Sequence, residues 1–340
     1  MNKAAKVSSE VKPDDLVLAP AEVALSNKVP ATVQIPLLFI GSVPRSGSTI
    51  MSDLLNENPH LINIGELVHM WQRGVIDDNL CGCGKAFSEC EFWSEVGQIA
   101  FGGWDKVSGE QMRALQLGAD RTRHIPALLA PKVERLFGSR IDEYAAVLTR
   151  VLRAIIEVSA TPIILDTSKH ISTALLLRRL PDVDLRVVHI VRDPRGVANS
   201  WSKVVERPEV QGGAEMDTLH PGRIGLRWLW FNWAFSNMDR LGVPTTTIRY
   251  EDFVASPAEM LDQIFDFAGI DFNSSEIFDR DPLILQGGHS VSGNPRRLDR
   301  RPVQLRVDEQ WRNDLDPKMR DLVSRVTRPM LGRYRYSKDT

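Results

Sequence analysis

Four short apolar runs, each giving way to a cluster of polar residues, constrain this chain more than any other feature. They are Leu37–Ile40, Ile163–Leu165, Leu185–Val191 and Thr245–Ile248, each bounded by Pro, Gly or polar residues. Such runs are the pattern of strands buried on both faces. Between them the spacing becomes helical: Ile50, Met51, Leu54 and Leu55; Tyr144, Val147, Leu148, Val151, Leu152 and Ile155; Leu175, Leu176 and Leu180. One helix start is spelled out by Ser256-Pro257-Ala258-Glu259: a capping Ser, Pro at the first helical position and Glu three after the cap. Met260, Leu261, Ile264, Phe265 and Ala268 continue it, and Gly269 is its expected stop. Strands alternating with helices predict an α/β domain with a mostly parallel sheet covered on both faces.

In such sheets ligands bind beyond the carboxyl ends of the strands, which is where the polar clusters fall: Ser42–Thr49, Asp166–His170, Arg192–Ser200 and Arg249–Asp252. The first reads Gly41-Ser42-Val43-Pro44-Arg45-Ser46-Gly47-Ser48-Thr49. A strand-to-helix loop of this kind can turn backbone N–H groups toward one anion, helped by the helix N-terminus. Arg45 can fork onto phosphate or sulfate oxygens, Gly47 allows close backbone approach, and Ser48 and Thr49 add hydroxyls and can cap the helix. An ordinary capped turn is the competing reading. The loop is not a Walker A motif, because no Lys follows Gly47. The third run enters Val191-Arg192-Asp193-Pro194-Arg195-Gly196-Val197-Ala198-Asn199-Ser200-Trp201, where Arg192 at a strand end and Ser200 in the next helix can face one phosphate. A pair between Arg192 and Asp193, with Ser200 in water, is the alternative.

Pro44–Thr49 resembles the 5′-phosphosulfate loop of sulfotransferases that use PAPS (3′-phosphoadenosine 5′-phosphosulfate). Arg45 stands where many members carry Lys, as in the tyrosylprotein and carbohydrate branches. Arg192 and Ser200 match that family's 3′-phosphate motif. Ile248–Phe253 resembles its Tyr-Glu-Asp strand end, with Tyr250 among the expected nucleotide contacts. His289–Arg297 resembles a late Gly-Asn-Pro-x-Arg segment of bacterial and carbohydrate-type members, where Gly293, Asn294 and Arg297 would close over the nucleotide. The resemblance runs from about Leu37 to the C-terminus, weakly across 100–140. It implies a P-loop-like three-layer sandwich, PAPS as co-substrate with PAP as leaving group, and no required metal. The implied reaction is in-line sulfuryl transfer to a hydroxyl, less readily an amine, of a small-molecule, carbohydrate or lipid acceptor. A nucleotide kinase on a related fold and a non-catalytic nucleotide-binding protein are the alternatives.

Positioning and electrostatics should dominate such a transfer. Arg45, Ser46 and the loop N–H groups form the expected clamp. Lys169 in Asp166-Thr167-Ser168-Lys169-His170 could assist, or pair with Asp166. Glu66, in Asn63-Ile64-Gly65-Glu66-Leu67, is the candidate general base, since related families carry a Gly-Glu pair here and burial would raise its pKa. The tyrosylprotein branch has a second Glu where this chain has Leu67. His170 and His69 are the other candidates. Trp228, Trp230 and Trp233 share a helical spacing that favours core over a substrate cage, whereas acceptor contacts are expected from 68–75 and 103–143, with Trp71 lining a pocket or packing.

The 42 basic and 44 acidic residues leave a formal net charge of -2, which gives no reason to expect nucleic acid as partner. No window approaches the roughly 18–20 apolar residues of a membrane span, and the start of the chain lacks a secretory pattern, so a cytoplasmic protein is expected. A homo-oligomer is compatible with all of this. Residues 1–34 read as a loose arm and 35–340 as one domain, with a mostly helical acceptor-side insertion at about 66–160. The three cysteines, Cys81, Cys83 and Cys90, cannot close a disulfide framework. The Cys-Gly-Cys-Gly…Cys-Glu-Phe-Trp string resembles a segment of a bacterial subset of the family. A zinc reading lacks a fourth ligand unless His69 supplies it, so a structural loop or one local disulfide is the expectation.

Overall fold

The computed structural model describes residues 34–130, 138–204, 206 and 218–337. Apart from Gln34, the N-terminal arm lies outside them. Five strands form one parallel sheet in the order β2-β3-β1-β4-β5: β1 (Ile35–Ser42), β2 (Leu61–Gly65), β3 (Ile163–Asp166), β4 (Val183–Val191) and β5 (Thr245–Arg249). The four expected strands are present, each one or two residues longer at one end or both. β2 is a fifth: it is short, carries Asn63 at its centre, and occupies a sheet edge.

Alternation along β1 builds the three layers. Leu37 and Phe39 enter one apolar cluster, with Ile164 of β3, Val187 of β4 and the helix Gly138–Ser159. Leu38 and Ile40 enter the other, with Leu165, Val188, Ile190 and the helices Ser48–Leu55 (α1) and Pro257–Ala268. The inner strands β1 and β3 are therefore buried on both faces, which explains why they read as continuous apolar runs. The Pro257–Ala268 helix ends at Gly269 in the left-handed conformation (φ 75°), as expected, but Ser256 makes no side-chain capping bond.

The chain leaves β1 toward β2, and later returns to place β4 on the opposite side of β1. β1 is thus the switch point, where an open parallel sheet leaves a crevice beyond its strand ends. The segment between β2 and β3 is mostly helical, with Glu91–Phe101, Gly109–Ala119 and Gly138–Ser159 its longest helices. No described helix is long and apolar enough to cross a membrane.

Candidate active site

A cavity of about 370 Å³ opens at that switch point. It draws its walls from the ends of all the expected polar clusters but one. Pro44, Arg45, Gly47, Ser48 and Thr49 come from the loop after β1, Glu66 follows β2, and Lys169 and His170 follow β3. Arg192 follows β4, Ser200 lies in the Pro194–Ser202 helix, and Gly293 and Asn294 arrive from the late loop.

The loop after β1 leaves several hydrogen-bond donors without protein partners. Its Arg45 (φ 75°) and Gly47 (φ 86°) both have left-handed backbones. A Cβ at Gly47 would lie 2.4 Å from the Tyr250 ring, so glycine is required on both counts. Gly47 itself caps α1, without a side-chain bond, and Ser48 and Thr49 are already helical. The first N–H groups of α1 are thus left to the loop's concave side rather than to a serine cap. Trp201 Nε1 donates to Pro44 O at 3.0 Å, and Arg192 Nη1 donates to Arg45 O at 2.9 Å. These bonds hold the loop, while Arg45 Nε and Nη2 and Ser46 Oγ are buried without a protein partner. Buried donors normally have partners, so this trio has hydrogen-bonding capacity that the protein itself does not use.

Arg192 does not pair with Asp193. It donates to Asp308 at 2.7 Å and stacks on the Tyr250 ring at 4.6 Å, while Asp193 takes Arg195 as its partner at 2.7 Å. Tyr250 therefore lies beneath the loop and fixes Arg192 rather than lining the cavity. Arg297 also stands back, donating to Ser290 O and Leu80 O. Its neighbour Arg296 lines the cavity instead, as do Arg227 and Arg73, the last lying in the 68–75 stretch expected to meet the acceptor. Six cationic side chains (Arg45, Arg73, Lys169, Arg192, Arg227 and Arg296) face one lining carboxylate, Glu66, in a chain whose net charge is -2.

Glu66 departs from expectation. Lys169 Nζ lies 2.5 Å from its Oε1, and His69 Nε2 lies 3.5 Å from its Oε2. Burial alone would raise its pKa, but the Lys169 ammonium, with His69 and Arg73 behind it, outweighs burial and holds the carboxyl at about 2. Lys169 adopts a left-handed backbone (φ 64°) in this arrangement. It does not pair with Asp166, whose Oδ1 accepts from the Ser168 backbone N–H and hydroxyl. Burial likewise lowers both histidines, His69 to about 3.

A second cavity, about 410 Å³, meets the first at His69, His170 and Arg227. Val68, Leu117, Ile125, Phe231 and Trp230 give it an apolar side, and Arg113, Asp120 and Arg121 a polar one. Of the tryptophan set only Trp228 is core; Trp230 and Trp233 are exposed and stack on each other at 5.5 Å. Trp71 is fully buried and packs.

A family model described as "Sulfotransferase family" matches residues 36–274, which include the anion loop, Glu66, Lys169 and Arg192. The chain belongs to the sulfotransferase family. Sulfuryl transfer is therefore its general chemistry, and the matched segment holds all of the cleft's lining residues except Gly293, Asn294 and Arg296. No curated protein sequence matches the chain. Among solved structures, the sulfotransferase domain of the Synechococcus PCC 7002 olefin synthase is 18% identical, with a TM-score of 0.44, over 91% of this chain and 98% of that one. The sulfotransferase domain of the curacin biosynthetic pathway is 16% identical with a TM-score of 0.46, over 90% and 98% of the two chains. A sulfotransferase from Mycobacterium avium is 14% identical with a TM-score of 0.44, over 90% and 78%.

Proposed function

We propose that this sulfotransferase uses PAPS as donor and transfers its sulfuryl group to the hydroxyl of a small acceptor. The carrying observation is the six-cation cleft at the sheet's switch point, with buried donors of Arg45 and Ser46 left without protein partners. Two anionic groups of one nucleotide suit its two ends. Arg45, Ser46 and the α1 N-terminus take the 5′-phosphosulfate, and Arg192 with Ser200 takes the 3′-phosphate. The closed Gly293–Asn294 segment completes the nucleotide wall, held by the Glu66 N–H on Ser292 O at 3.1 Å.

The acceptor enters through the second cavity, whose apolar side suits a hydrocarbon or ring body and whose mouth on His69 and His170 leads a hydroxyl to the donor. The acceptor oxygen attacks sulfur, the bond from sulfur to the bridging phosphate oxygen breaks, and PAP leaves with that electron pair. The acceptor proton goes to Glu66. At a pKa of about 2 the carboxylate is a poor base. A donor anion that draws the Lys169 ammonium away removes the leading force holding it down. Burial then raises it toward a useful value, so that Lys169 couples donor arrival to base strength.

The test is mass spectrometry of acceptor mixtures incubated with isotopically labelled PAPS. The label is expected on hydroxyl compounds with an apolar body, together with one PAP for each product. PAP binding without transfer to any acceptor would favour a non-catalytic nucleotide-binding protein.

A further inference from the structure

We propose that Cys81, Cys83, Cys90 and His289 form a tetrahedral site for a structural zinc ion, stapling the cysteine loop to the loop that carries Gly293 and Asn294. One ligand atom from each of the four lies within 4.8 Å of every other. Cys83 Sγ is 3.7 Å from Cys90 Sγ, and Cys90 Sγ is 3.3 Å from His289 Nδ1. Bond lengths of about 2.3 Å to sulfur and about 2.0 Å to nitrogen put tetrahedral ligands about 3.8 Å (S to S) and about 3.5 Å (S to N) apart. The observed spacings are close to these. A disulfide needs sulfurs at about 2.05 Å, and it would leave one thiol and the imidazole unexplained.

The surroundings fix the ligands in place. A Cβ at Gly82 would lie 2.6 Å from Gly288 O, so only glycine lets the Cys81–Cys83 turn press against the histidine loop. Gly82 N–H donates to Ser290 O at 2.9 Å. The His289 ring stacks on Phe92 at 4.6 Å, and Trp93 Nε1 donates to His289 O at 2.8 Å. Both aromatic residues lie in the first turn of the Glu91–Phe101 helix, which Cys90 caps. Ligands of this kind, held by their neighbours, are the usual frame of a metal centre. Three soft thiolates and one imidazole select zinc over harder cations, and four protein ligands leave no open position for catalysis.

His69, the fourth ligand weighed from sequence, lines the active cleft instead. His289 lies 199 residues beyond Cys90, so sequence spacing does not reveal it. The site stands independently of the donor assignment. Its consequence is local: the ion ties the segment after Arg73 to the wall over the nucleotide cleft, and metal binding here is partly folding free energy.

The experiment is metal analysis of the full chain, purified without chelator, beside Cys83→Ala and His289→Gln. Cys83 is exposed, so its truncation opens no core cavity. About one zinc per chain is expected in the wild type, less than about a tenth of that in each variant, and a tetrahedral thiolate spectrum after cobalt replacement. A chelator should lower the wild-type Tm and leave that of Cys83→Ala unmoved. The proposal is overturned by folded wild type carrying less than about a tenth of a zinc, or by variants that retain the metal undiminished. A mass two hydrogens light in metal-free protein, signalling a disulfide, would overturn it as well.

Discussion

Arg45→Ala lowers kcat/KM for sulfuryl transfer by about 10²–10³, the usual loss when one preorganised charge-stabilising donor is removed. The side chain contributes little to holding the fold: its Nε and Nη2 have no protein partner, and its one described side-chain contact of note is the Trp201 ring at 5.5 Å. Burial lowers its pKa, a sign that the site bears a desolvation cost which an anionic ligand offsets. Removing the guanidinium should therefore leave thermal stability nearly unchanged while activity collapses. Arg45→Lys should recover part of the rate, because it keeps the charge and loses the planar fork. Steady-state kinetics with a melting curve on each variant separate this from misfolding. Near-normal turnover in Arg45→Ala would remove the loop from the chemistry.

Lys169→Ala is expected to be costly in two ways. Its side chain is 7% exposed and that of Glu66 is 16% exposed, so the pair is largely out of water. Breaking a buried pair from one side costs about 3–5 kcal/mol, which urea unfolding near neutral pH would read. The pH dependence carries the distinctive sign. In the wild type Glu66 has a folded pKa of about 2, below its ordinary 4.5. Its contribution is therefore full above about 4.5 and is lost as pH falls toward 2. Without Lys169 the leading influence is burial, and the folded pKa lies above the ordinary value. The contribution then reverses and stability falls as pH rises through that raised pKa. The wild type and variant should thus converge in stability on acidification. Lys169→Ala combined with Glu66→Gln should regain most of the stability at neutral pH but none of the activity. A variant whose stability deficit is the same at pH 4 and pH 8 would contradict the pairing.

Much of the fold was legible because strands buried on both faces must be largely apolar, as Leu37–Ile40 and Ile163–Leu165 are. The loop at Arg45–Thr49 was legible for a related reason: one glycine among three hydroxyl residues where a strand passes into a helix permits few structures. β2 was not, since five residues broken by Asn63 carry too little periodicity. Glu66 was found by position but its pKa was expected to move the wrong way, because the deciding charge, Lys169, lies 103 residues later. Arg227 sits in a helix beside the tryptophan set, and nothing in its local spacing says that it faces a cleft. Arg296 and Arg297 are adjacent and chemically identical, and only the turn following Asn294 decides which of them faces the cavity and which supports Ser290 and Leu80.

The donor assignment is tested most directly by calorimetric titration of PAP into the wild type and Arg192→Ala, with ATP and magnesium as the competing ligand. PAP should bind the wild type at one site. Arg192→Ala should weaken it by about 10–150-fold, the range of a charged hydrogen bond worth about 1.5–3 kcal/mol. ATP with magnesium should bind neither protein comparably. A wild type that ignores PAP and takes ATP with magnesium, or an Arg192→Ala variant that binds PAP with unchanged affinity, would contradict the assignment.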